Sequence, residues 1–208
     1  MRQRPGTGIA LVVAILLISL ASSAFAQSSN ARVLRLSVPY INNFYLQPNG
    51  EPDAKVNTGF WGLGVELLVR HSHSQFLGLA ASVATDFPVP VPAAVDLLGE
   101  HEFMTSYALD LTNNHTQGRF SFGYGLSYST NQWEVKYFDD LEGEPPTRDP
   151  IKLSNSSLGL AFPINYALND RFSLGLTYRP YLYRFGTDAG FGYEHVISIE
   201  IAWNIVLP

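Results

Sequence analysis

The chain contains no cysteine, which excludes a disulfide framework, a thiolate metal centre and a lipidated N-terminal cysteine. Charge is sparse: 15% of residues carry one, with 18 acidic against 13 basic and a net charge of −5. A chain of that balance lacks the basic patches that nucleic acid demands, and no nucleic-acid partner is expected. Long apolar runs are scarce as well. The one present, Ile9 to Leu20, is at the very start, and no later stretch approaches the roughly 20 apolar residues of a membrane-spanning helix.

That opening segment has the layout of a secretory signal. Arg2 and Arg4 supply a positive start, Ile9 to Leu20 the apolar run, and Ala24-Phe25-Ala26 the small-x-small pattern that precedes a cut. The domain division expected is a signal peptide over 1–26 and one folded domain over 27–208. Removal of Arg2 and Arg4 would take the net charge from −5 to −7.

Alternation is what the rest of the chain has in quantity. From Gly118 to Ser129, Phe120, Phe122, Tyr124, Leu126 and Tyr128 share one parity, while Arg119, Ser121, Gly123, Gly125, Ser127 and Ser129 share the other. A period of two is that of a β-strand. Similar patterns over 31–45, 56–70, 77–83, 102–112, 158–168, 172–179 and 197–207 predict seven more strands. Each has a bulky apolar face opposite a face of Gly, Ala and Ser with an occasional charge. Such a wall suits lipid on one side and a narrow, filled bore on the other. The expected fold is all-β, an eight-stranded antiparallel up-and-down transmembrane β-barrel.

The connections agree with that reading. Long, polar and proline-rich loops over 47–55, 86–101 and 136–152 alternate with short turns over 71–74, 113–117 and 169–170, and a modest loop over 186–190 precedes the last strand. Outer-membrane barrels show this rhythm, with short periplasmic turns and long outer loops. On pattern, loop rhythm and leader, the chain resembles the small eight-stranded outer-membrane barrels of the OmpA and OmpX type. The resemblance implies residence in the cell outer membrane, contact with outer-membrane lipids and lipopolysaccharide, handling by the outer-membrane assembly machinery, and a monomer. Proteins of that type end on an aromatic residue, whereas this chain ends Ile205-Val206-Leu207-Pro208, leaving Trp203 as the candidate anchor.

Within the bore, Glu66, Asp110, Arg119, Arg179 and Glu200 fall on the small-residue faces and are expected to pair as lumen ion pairs, because an unpaired buried carboxylate costs several kcal/mol. If the hairpin around 113–117 is symmetric, Asp110 stands across from Arg119. No cofactor and no metal are expected: His71 and His73 in one turn do not make a complete site. Glu194 and His195 are adjacent but have no nucleophile beside them. No catalytic set is expected, and the protein reads as non-enzymatic, with a structural or surface-interaction role.

Two alternatives remain. Lys152-Leu153-Ser154-Asn155 looks like the His-x-Ser-Asn segment of the outer-membrane lipid A 3-O-deacylases, which implies Ser154 as nucleophile with Lys152 where the family has its histidine. A soluble barrel of lipocalin type, binding an apolar ligand inside, is the other. The acidic loop residues Glu51, Asp53, Asp139, Asp140, Glu142, Glu144 and Asp149 could hold divalent cations against lipopolysaccharide phosphates, or simply keep the loops solvated.

Overall fold

The computed structural model describes residues 32–51, 53–91, 99–138, 149–186 and 189–207; the leader expected over 1–26 lies outside them. Eight strands follow in order: β1 (Arg32–Leu46), β2 (Lys55–Arg70), β3 (Gln75–Phe87), β4 (Gly99–Gln117), β5 (Phe120–Phe138), β6 (Ile151–Ala167), β7 (Phe172–Phe185) and β8 (Gly190–Leu207). Each pairs antiparallel with its chain neighbour, and β8 returns to pair with β1, so the sheet closes without an edge. In hydrocarbon a sheet can persist only in that form, because an open edge would leave amides with no partner.

Face assignment follows the alternation. Leu63, Leu126 and Ile201 are 64%, 57% and 52% exposed on the outside, while Ser127, Ala161 and Ser198 are fully buried inside. This arrangement is the reverse of a soluble barrel, whose outer surface would be polar. β4 and β5 are 19 residues each, against the roughly 9–11 that a tilted strand needs to cross the apolar layer. The ends remote from the short turns therefore project beyond it.

One turn is tighter than the sequence suggests. Residues 113–117 continue β4, and the chain reverses at Gly118-Arg119, with Gly118 at φ 61°. That left-handed conformation is the one glycine adopts most readily. The register then sets Asp110 opposite Ser127, not Arg119.

The ladder shifts register at four places among the described residues, and two of them fall together on β1 and β2. In β1 the register against β8 shifts between Pro39 and Ile41, and in β2 the register against β3 shifts between Phe60 and Gly62. The β1–β2 ladder itself is interrupted between Ser37↔Gly64 and Ile41↔Phe60. Proline has no N–H to give a ladder and belongs at such a place. Trp61 takes φ 77°, a costly conformation for a bulky side chain that persists only where surrounding structure enforces it.

Asn42 repairs the gap. Its Nδ2 donates to the carbonyls of Trp61 at 2.8 Å, Thr85 at 3.0 Å and Pro39 at 3.3 Å, and its Oδ1 accepts from Ser198 Oγ at 2.8 Å. The β1 bulge also changes which side chains enter the bore. Beyond Pro39 the parity flips, and Asn42, Phe44 and Leu46 turn inward, all at most 1% exposed.

Candidate functional site

The bore has two unlike halves. Toward the short turns it is charged. Arg35 Nη1 donates to Glu66 Oε2 at 2.7 Å and Arg35 Nε to Asn204 Oδ1 at 2.9 Å. These three residues sit at the same level of β1, β2 and β8, so strand register alone brings them together. Across the bore, Arg179 Nε donates to Asp110 Oδ2 at 2.9 Å and Nη2 to Ser82 Oγ at 3.2 Å, while Ser127 Oγ donates to the other Asp110 oxygen at 2.6 Å. Glu200 accepts from Thr177 Oγ1 at 3.2 Å.

Of the five charges expected inside, Asp110 and Arg179 meet each other, Glu66 meets Arg35, and Glu200 forms no ion pair among the described residues. Arg119 is corrected: it lies exposed in the two-residue turn at the short-turn mouth, because the hairpin reverses there and not five residues earlier. Arg35 went uncounted although it occupies an inward position of the first strand. The mouth is a vestibule of about 210 Å³ bordered by Arg119, Asp170, Asn114 and Asn204. Deeper in, a cavity of about 30 Å³ lies among Arg35, Glu66, Asp110, Arg179 and Glu200.

Toward the outer end the bore is packed with apolar side chains. Phe44, Leu46, Ala84, Met104, Trp133, Val135, Tyr181 and Val196 form one buried cluster. Small and polar inward residues were expected throughout, so this plug is a second correction. Two devices build it: the β1 bulge that turns Phe44 and Leu46 inward, and the unbroken parity of β5, which carries Trp133 and Val135 onto the face that holds Ser127 and Ser129 lower down.

Beside the plug, Glu194 is wholly buried. It accepts from Gln47 N at 3.0 Å, Asn131 Nδ2 at 3.1 Å, Asn155 Nδ2 at 2.9 Å and Ser157 Oγ at 2.9 Å. A carboxylate ringed by neutral donors is held without a cation, since each hydrogen bond to an ionised group counts for about 1.5–3 kcal/mol. Its neighbour His195 faces the other way, stacked on Tyr45 with ring centroids 5.4 Å apart. Consecutive strand residues point to opposite faces, so Glu194 and His195 cannot act as a pair.

The remaining candidates are equally separate. Lys152 and Ser154 share the outer face of β6 two positions apart, about 7 Å along a strand, and no hydrogen bond joins their side chains. His71 Nε2 contacts Asn113 Oδ1 at 3.0 Å while His73 is exposed. Among the described residues no three acidic or histidine side chains group as metal ligands. At the outer rim Lys55 lies 3.7 Å from both Glu51 and Glu102 and 5.0 Å above the Trp133 ring, whose Nε1 donates to Glu102 Oε2 at 2.9 Å. Of the acidic loop residues, Glu51, Asp53 and Asp149 are described; Asp139, Asp140, Glu142 and Glu144 lie outside the described residues.

No protein-family model matches the sequence, and no curated protein matches it. Solved structures do. The barrel is similar to Ail, the attachment invasion locus protein of Yersinia pestis, with a TM-score of 0.53 at 8% identity over 86% of this chain and 100% of that one. The same protein in complex with the heparin analogue sucrose octasulfate gives 0.52 at 7% identity over the same shares of the two chains. Neisserial surface protein A gives 0.46 at 12% identity, over 85% of this chain and 97% of that one. At such identities the likeness is one of architecture, and the architecture is that of the small eight-stranded outer-membrane β-barrels.

Proposed function

We propose that this chain is a non-enzymatic barrel of the bacterial outer membrane, exported through a signal peptide cut after Ala26, with its outer rim as the working surface. The observation that carries the reading is the filled bore. Among the described residues an apolar plug at the outer end and crossed ion pairs below it fill the bore, which argues against a role in solute transport. A membrane barrel that does not conduct has its strands to anchor it and its projecting loops to act with. Lumen closure by ion pairs and packing is then a structural duty, which frees the rim to vary.

The rim chemistry favours cations and cation-bridged anions. Lys55 is shared between Glu51 and Glu102, and Lys136 is taken by Glu134, so neither lysine is left to offset Asp149, and a mature charge of −7 would repel a bare polyanion. Ail has been crystallised with a sulfated heparin analogue; the acidic rim here argues for a different class of contact. Lipopolysaccharide phosphates bridged to the rim carboxylates by divalent cations fit that charge. Placement and handling by the outer-membrane assembly machinery belong to the same reading.

The test combines fractionation with function. The protein should appear in the detergent-extracted membrane fraction, migrate differently on gels before and after boiling, and show no stepwise conductance in planar bilayers. Co-purifying lipopolysaccharide should fall on EDTA washing. A soluble fraction without detergent, or steady large conductance, would overturn the reading. Release of fatty acid from lipopolysaccharide, lost on Ser154→Ala, would establish the hydrolase instead.

A further inference from the structure

The charged half of the bore is not neutral. Glu66 is matched by Arg35 and Asp110 by Arg179, but Glu200 has no cation within ion-pair distance among the described residues. All five groups border the same cavity of about 30 Å³, so one negative charge is left over on the half-buried Glu200, in a narrow space inside the barrel. A lone carboxylate in such a place costs several kcal/mol unless something compensates it.

A second deficit lies at the same spot. Asn165 borders that cavity, is 3% exposed, and its Oδ1 accepts no hydrogen bond among the described residues. A Cβ placed on Gly175 would stand 2.9 Å from Asn165 Oδ1 and 2.9 Å from Glu200 Oε1. The two oxygens therefore converge over the bare backbone of Gly175, and Thr177 Oγ1 joins them through Glu200 at 3.2 Å.

Both deficits call for a positive, oxygen-seeking partner. A donor set made of carboxylate, amide and hydroxyl oxygen suits hard cations. An excess of one charge matches a monovalent ion, and no three acidic or histidine side chains among the described residues group closely enough to chelate a divalent one. The volume admits one small ion or one water. Access is from one side: Arg35 and Asn165 border both this cavity and the periplasmic vestibule, whereas the apolar plug closes the outer end.

From this convergence we infer that the bore holds one monovalent cation of sodium size, between Glu200 and Asn165, taken up from the periplasmic side. The ion completes the charge balance of the lumen, and its occupancy ties barrel stability to the salt composition of the periplasm.

The experiment uses the full chain in detergent micelles, with the unfolding midpoint followed in sodium chloride and in choline chloride at equal ionic strength. Sodium should raise the midpoint along a one-site curve, continuing in proportion to the logarithm of concentration once the site is filled; choline, too large for the cavity, should not. Glu200→Gln should abolish the difference between the salts and raise the midpoint in choline. Equal midpoints for the unmodified protein in the two salts would overturn the inference and assign the cavity to water alone. So would a sodium effect that survives Glu200→Gln undiminished. The salt comparison on the unmodified protein decides the matter even where the variant fails to fold.

Discussion

Arg179 and Asp110 stand on β7 and β4, three strands apart around the ring, yet their side chains meet inside, with Nε and Nη2 both 2.9 Å from Oδ2. The pair crosses the bore and ties opposite walls together, at side-chain exposures of 7% and 5%. Removing one partner of a buried pair costs about 3–5 kcal/mol, while replacing both by apolar groups is often close to neutral. Asp110→Ala should therefore lower the unfolding free energy by about 3–5 kcal/mol, and Asp110→Leu combined with Arg179→Leu by clearly less. Urea titration in lipid vesicles reads both, and a loss in the double variant equal to the sum of the two single losses would show that the residues act independently.

Arg119 gives the contrast. It shares the parity of the inward residues but is exposed in the turn and forms no ion pair among the described residues. Arg119→Ala should leave the unfolding free energy within about 0.5 kcal/mol, measured in the same titration. A loss as large as that of Asp110→Ala would return Arg119 to the ion-pair network.

How far the sequence carries is clear from these two arginines. Parity places Arg179 inside correctly, because a period of two survives in β7 up to that point. It misplaces Arg119, because the reversal depends on one left-handed glycine, Gly118, whose neighbours 113–117 are also polar enough for a turn. The apolar plug was hidden for a similar reason. A bulge adds one residue and inverts the pattern beyond it, so Phe44 falls on the outward parity in the amino acids alone and Leu46 lies past the predicted strand. Glu194 was visible only as half of a dipeptide, since its donors come from residues up to 147 positions away. Local alternation is thus legible, and what depends on register between distant strands is not.

The outward face can be tested at one position. Leu160 on β6 lies opposite Leu126 of β5, seven residues from the periplasmic end of its strand. An arginine near the bilayer middle on the lipid side costs about 2–4 kcal/mol. Leu160→Arg should show a loss of that size in vesicle refolding, while Ala161→Ser, inward at the next position, should be mild. Equal damage would mean that the faces are assigned the wrong way round.

Asn42 carries the cost of the bulges. Its amide serves the carbonyls of Pro39, Trp61 and Thr85, and Thr85 Oγ1 adds bonds to Phe60 at 2.9 Å and Trp61 at 3.0 Å. A buried polar group left without a partner costs about 1–3 kcal/mol, and the removed side chain also leaves Ser198 Oγ unanswered. Asn42→Ala should destabilise by at least about 2 kcal/mol on that basis. Exchange of the backbone amides of β1 and β2 on either side of the bulges should quicken with it, which a loss confined to packing would not cause.

The three tryptophans separate inside from outside without perturbing either. Trp133 is 5% exposed within the plug, Trp203 is 46% exposed on the outer wall near the periplasmic end, and Trp61 faces out at the β2 bulge, its ring edge-on to Tyr40 at 5.3 Å. Bromine on acyl chains quenches indole fluorescence only at close range, so lipid contact is read directly. In vesicles of brominated lipid, a variant keeping only Trp203 should be strongly quenched, and one keeping only Trp133 should retain most of its emission. Trp133 should also emit at shorter wavelength than a solvated indole, since Phe44, Leu46 and Val135 surround it in place of water. Strong quenching of Trp133 would place that side chain in the lipid and dissolve the plug on which the closed bore depends.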